Sequence, residues 1–127
     1  MKQGQQKKKL RLQAERLWKE LVIKQANGVC EICGKTASIA HHFVPRSQSG
    51  ILKFNPKNGI CICLSCHFAH HTKSDPYIHD CIIRKRGQVW ADSLYLIRNQ
   101  PIESSYKSIR FYEGIIAGLK NELLHAD

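Results

Sequence analysis

Ala40-His41-His42-Phe43-Val44-Pro45-Arg46 stands between two Cys-x-x-Cys pairs, Cys30-Glu31-Ile32-Cys33 before it and Cys63-Leu64-Ser65-Cys66 after it. The second pair runs directly into His67, and His70 and His71 follow one helical turn on. Core packing alone does not account for thiols and imidazoles at this density; they are the ligands of borderline-soft divalent metals. A Cys-x-x-Cys turn presents two thiolates to one ion, so two pairs complete a tetrahedral four-sulfur site. Cys30, Cys33, Cys63 and Cys66 are therefore assigned to one structural Zn²⁺. Between Cys33 and Cys63 lie 29 residues, more than the ~15–20 of a simple zinc ribbon. The excess is the His-His stretch and its loop. Cys61 rivals Cys63 but is poorly spaced from Cys66; it and Cys81 are read as small buried hydrophobes. A thioredoxin-like redox site needs one pair, not two. A closed four-thiolate site has no open position, so this metal holds the fold and does no chemistry.

Around this centre the chain reads as α+β. Leu10, Ala14, Leu17, Trp18, Leu21 and Val22 recur at helical spacing, predicting a helix over 9–25 that Asn27-Gly28 ends. Residues 1–9 read as a polar, basic, disordered arm. Residues 38–43 form a short strand stopped by Pro45, residues 46–57 a polar loop, and 59–63 a second strand. A helix follows over 64–73. Asp75-Pro76 opens another that runs to about residue 86, and Trp90, Leu94 and Ile97 mark a third. After Asn99-Gln100-Pro101, a last helix carries Ile102, Tyr106, Ile109, Ile116, Leu119 and Leu123, a stripe best explained as a core face. Residues 10–127 thus read as one domain, with a core at 28–73 and a helical extension at 74–127.

Twenty Lys and Arg against ten Asp and Glu give a formal charge of +10. Such an excess points to a polyanionic partner, nucleic acid before membrane. No stretch is apolar enough to span a bilayer, and the charged start does not lead into the apolar run of a secretion signal. A reducing, cytoplasmic setting is the expectation, and it suits thiols used for metal.

Adjacent strand residues face opposite sides, so His41 and His42 diverge unless the strand bends. His67 and His71 are four apart on the following helix and share a face; His70 shares it less well. One strand histidine with two helix histidines makes a divalent-metal site with open positions, and the other strand histidine is left as a base.

Cys-x-x-Cys, then Ala40-His41-His42-Phe43-Val44-Pro45-Arg46, then Asn58, then Cys63-x-x-Cys66-His67-x-x-x-His71, resembles the HNH endonuclease family and its ββα-metal (His-Me finger) fold, over about residues 28–73. The flanking helices resemble small phage-type members, recombination-associated ones included. The resemblance implies a metal-dependent endonuclease that hydrolyses DNA phosphodiesters and leaves 5′-phosphate and 3′-hydroxyl ends. It implies His42 as general base, His41, His67 and His71 as ligands of the catalytic metal, and Asn58 as the member of the catalytic set that ties the loop by hydrogen bonds. Arg46, Lys53 and Lys57 are candidate DNA contacts, made mainly to phosphate, on a partner that includes branched or packaged phage DNA. A monomer or homodimer in a bacterial or phage-infected cell fits this pattern. The alternative is a non-catalytic, zinc-stabilised DNA-binding protein of phage recombination or packaging.

Three features depart from the family pattern, one being that His70 beside His71 leaves the final metal ligand open between them. His41 stands where an aspartate is common, and Gly59 follows Asn58 where many relatives carry an apolar residue. An imidazole-rich site suits Mn²⁺, Ni²⁺ or Zn²⁺ better than Mg²⁺. Nicking of supercoiled plasmid is therefore expected to be faster in Mn²⁺ or Ni²⁺ than in Mg²⁺; equal or faster nicking in Mg²⁺ alone would count against the ligand set.

Overall fold

Asn27 and Gly28 take left-handed backbone angles, φ +55° and +66°, and they stop the first helix, α1 (Gln3–Gln25). The Gly28 amide donates back to the Ile23 carbonyl, closing the helix end. In this computed structural model, residues 2–73, 77–101 and 107–126 are described, without the side chains of 70–73 and 77. The chain reverses past Gly28 into a knuckle bridged between Val29 and Thr36, with Gly34 at φ +80°. It then enters β1 (Ile39–His42), pairs antiparallel with β2 (Gly59–Ile62) and continues into α2 (Leu64–Lys73). This is the ββα unit. Two 3-10 turns, Leu52–Phe54 and Pro56–Asn58, fill the connection between the strands.

Every residue of β2 is buried. That explains a strand of Gly, Ile and Cys with no polar face. α1 covers one side of the ribbon through Ala14, Leu17, Trp18, Leu21 and Val22, each large side chain contributing about 1.5–3 kcal/mol by burial. α3 (Tyr77–Arg86) buries Ile78 and Ile82, and α4 (Gln88–Arg98) buries Ala91 and Leu94. α5 (Ile109–His125) buries Tyr112, Ile116 and Leu119 and lies beside α1, where Lys24 Nζ donates to the Leu123 carbonyl at 3.2 Å. Buried side chains from α1, α3, α4 and α5 join those of the ribbon in one connected cluster. No helix among the described residues is long and apolar enough to cross a membrane.

One sequence expectation meets a different outcome, one lies partly outside the described residues, and one agrees. Residues 3–9 are not a disordered arm but the first turns of α1. Gln and Lys are good helix formers, and the packed half of the helix already meets the nucleation cost. The last helix begins at Ile109, where Ser108 Oγ accepts the Phe111 amide at 3.1 Å; Ile102 and Tyr106 lie outside the described residues, as do Asp75 and Pro76. The stripe of the last helix is a core face, as its buried Tyr112, Ile116 and Leu119 require.

The helical extension is tied to the ββα unit by Arg86. Its guanidinium pairs with the Glu31 carboxylate in the knuckle and donates to the carbonyls of Lys57 and Gly59. It also lies 4.8 Å over the Trp90 ring, whose Nε1 donates to the same Lys57 carbonyl. One side chain thus joins the metal knuckle, the strand connection and α4.

Gly59 explains its own departure from the family pattern. A Cβ there would meet Val22 Cγ1 at 3.0 Å and Trp18 Cζ2 at 3.1 Å, with Val22 Cγ2 closer still. The volume that an apolar side chain would fill is taken by α1. Gly59→Ala is expected to lower stability by about 1–3 kcal/mol through overpacking. Adding Val22→Ala should restore part of the loss in denaturant melts; a purely additive double variant would show that the contact is not the cause.

Candidate active site

The four cysteines converge. Their sulfurs all lie within 4.8 Å of one another, and Cys33 Sγ is 3.6 Å from Cys63 Sγ. A tetrahedral ion with ~2.3 Å zinc–sulfur bonds places its sulfurs ~3.8 Å apart, so this cage fits Zn²⁺. Burial raises the Cys30 thiol, but backbone amides of Cys33, Cys63 and Ile32 outweigh it and bring it down to about 7. Burial and the neighbouring sulfurs push the Cys66 thiol up. Four sulfurs this close do not ionise together unless a cation sits among them. Cys61 stays outside the cage, buried in β2 with its thiol 3.8 Å from the Ala37 carbonyl. Among the described residues, these four cysteines are the one group of three or more ligating side chains close enough to share an ion.

Asn58 is fully buried. Its Oδ1 accepts the Val44 amide at 2.7 Å, and its Nδ2 donates to the Val44 carbonyl at 3.0 Å and to the Leu52 carbonyl at 3.1 Å. The Phe43 amide donates to the Asn58 carbonyl at 2.9 Å. The side chain is committed to the connection between the strands.

His42 closes β1 opposite Gly59. Its Nε2 lies 2.9 Å from the Lys53 carbonyl. A carbonyl only accepts, so Nε2 carries the proton and Nδ1 the lone pair. The ring stacks on Trp18 of α1, centroids 4.0 Å apart and planes within 7°. Burial lowers the His42 pKa below its usual 6.5, and the charges of Arg46 and Lys53 act in the same sense, against the Lys53 carbonyl and Glu15. The imidazole is therefore neutral at neutral pH, the state a base requires.

A cleft of about 410 Å³ is lined by His41, His42, Pro45, Arg46, His67 and His79. The His41 and His67 rings lie edge to face with centroids 5.8 Å apart. Two imidazoles on one ion, with ~2.1 Å metal–nitrogen bonds, have ring centres no more than ~6.5 Å apart, and the spacing of this pair falls within that limit. The side chains of His71 and His70 lie outside the described residues. Of the candidate DNA contacts, Arg46 lines the cleft. Lys53 lies on a second hollow of about 190 Å³ behind His42, and its ammonium is paired with Glu15 at 2.9 Å. Lys57 is exposed and lines neither; its carbonyl serves Arg86 and Trp90.

Sequence reading passed over four residues here. His79 packs on Phe43, ring centroids 4.7 Å apart, and also walls the cleft. Glu15, Trp18 and Lys19 bring α1 to the hollow behind His42. In the sequence, Trp18 is one member of an apolar stripe, and nothing in that stripe marks a histidine as its neighbour. Zinc content should separate the cysteines: Cys63→Ser is expected to lose the metal, while Cys61→Ser keeps about one Zn²⁺ per chain by elemental analysis. Loss in both, or in neither, would contradict the cage.

No curated protein and no solved structure matches the chain significantly. Residues 30–73 match the family model described as HNH endonuclease. That span runs from the first thiol of the cage to the end of α2 and takes in both strands, Asn58 and the cleft histidines. With the antiparallel ribbon, the following helix and the four-sulfur cage, it makes this part of the chain an HNH endonuclease domain of the ββα-metal fold.

Proposed function

We propose that the protein is a metal-dependent DNA endonuclease in which His42 is the general base. The observation that carries this reading is the His42 ring itself. It is neutral, its Nε2–H is committed to the Lys53 carbonyl, and it borders a cleft shared with His41 and His67. His41 and His67, with His71 as a third ligand, would hold the catalytic cation. When bound, that cation supplies charge stabilisation to the phosphodiester and its leaving oxygen.

The chain's own residues do the rest. Arg46, exposed at the cleft edge, anchors a phosphate of the substrate strand. His42 Nδ1 takes a proton from a water as its oxygen attacks phosphorus. The bond from phosphorus to the 3′ oxygen breaks, and that oxygen takes a proton from solvent. A 5′-phosphate and a 3′-hydroxyl result. Asn58 acts one step away, by holding the turn that bears the Lys53 carbonyl. The formal charge of +10 makes phosphate contacts the main source of affinity, so binding should weaken steeply with salt.

Supercoiled plasmid and branched DNA incubated with wild type and His42→Ala provide the test. The wild type should nick with added divalent metal and stop in EDTA. His42→Ala should lose about 10²–10⁴-fold in rate while keeping its zinc, its melting temperature and its DNA affinity. DNA binding without metal-dependent cleavage by the wild type would instead identify a non-catalytic DNA-binding protein.

A further inference from the structure

We propose that Trp18, on a helix outside the segment that matches the family, is a positioning residue for the general base. This rests on the reading of His42 as that base. The Lys53 carbonyl holds one nitrogen of the ring, but a single hydrogen bond leaves the ring free to swing about the line of that bond. The indole removes this freedom by lying flat on the ring, 4.0 Å away and 7° from parallel. Hydrogen bond and stack together fix both the direction and the plane of the imidazole, and so the direction of the Nδ1 lone pair.

Trp18 is itself held. It is 4% exposed, and its Nε1 donates to the Asn55 carbonyl at 2.9 Å. The missing Cβ of Gly59 leaves the space into which its ring and Val22 fit. Asn55 and Lys53 belong to the same turn, and Asn58 Nδ2 ties that turn through the Leu52 carbonyl. α1 also reaches the turn directly, because Glu15 pairs with Lys53 at 2.9 Å. One face of α1 therefore holds the ring through Trp18 and the acceptor of the ring through Glu15. A tryptophan that merely filled the core would need neither the near-parallel stack nor the paired attachment to the turn.

The test uses the zinc-loaded full chain and compares wild type, Trp18→Phe and Trp18→Leu on one DNA duplex. Both variants lose the bond to Asn55, but only phenylalanine keeps an aromatic face. Trp18→Leu should lose about 10–100-fold in kcat, the scale of a misplaced catalytic group, with KM and DNA affinity within about twofold. Trp18→Phe should recover most of the loss. By NMR, the His42 ring protons should be shifted upfield by the aromatic face in wild type and Trp18→Phe, and not in Trp18→Leu. If Trp18→Leu loses its zinc or its fold, Trp18→Met takes its place, and the wild-type shift is a readout that needs no variant. An unshifted His42 in wild type overturns the proposal, as does an unchanged kcat in Trp18→Leu or an equal loss in both variants. A wild type that cleaves no DNA sinks this proposal together with the nuclease reading; a cleaving wild type beside an equally active Trp18→Leu sinks this proposal alone.

Discussion

The buried amide of Asn58 is the constraint on which the site depends. Two strands of four residues cannot by themselves fix the connection between them. Asn58 does so by committing both amide hydrogens and its carbonyl oxygen to Val44 and Leu52. An unpaired backbone group at that depth would cost about 1–3 kcal/mol, so the turn adopts the one path that satisfies all of them. That path presents the Lys53 carbonyl to His42. A fully buried side chain thereby helps decide which nitrogen of His42 carries its proton.

Two attachments hold this turn from outside. The sulfur cage binds the knuckle before β1 to the start of α2, so both ends of the histidine cluster hang on one cluster of thiols. Arg86 then fastens the knuckle and the start of β2 to the C-terminal helices. α1 closes the other side, pressed against the ribbon closely enough that position 59 has no room for a side chain. The matched segment is thus only the middle of a larger mechanical unit. Its His42 leans on a helix that precedes the segment, and its knuckle on helices that follow it.

What could be read from the sequence was what is local. Cysteine spacing placed the four thiols of the cage, and Asn27-Gly28 marked the left-handed stop of α1. The run from Gly59 to Cys63 marked a second short strand, though not that both its faces are buried. What could not be read depends on which surfaces meet. Trp18 carries the same signal whether it packs on leucine or on an imidazole. His79 looks like any helix histidine until α3 is laid against Phe43. Lys53 and Lys57 are alike as loop lysines, yet one is paired with Glu15 and the other is exposed. The helical start of α1 was hidden because a run of Gln and Lys is compatible with helix and coil alike, and the packing downstream decides between them.

The partner that orients His42 is a main-chain carbonyl. No substitution at position 53 can delete it, because every amino acid brings the same oxygen. A survey by alanine replacement would register at Lys53 only the broken tie to Glu15, and would credit the orientation of His42 to other residues. Chemistry that replaces the peptide link between Lys53 and Phe54 with a thioamide would reach it, by exchanging that oxygen for a weaker acceptor.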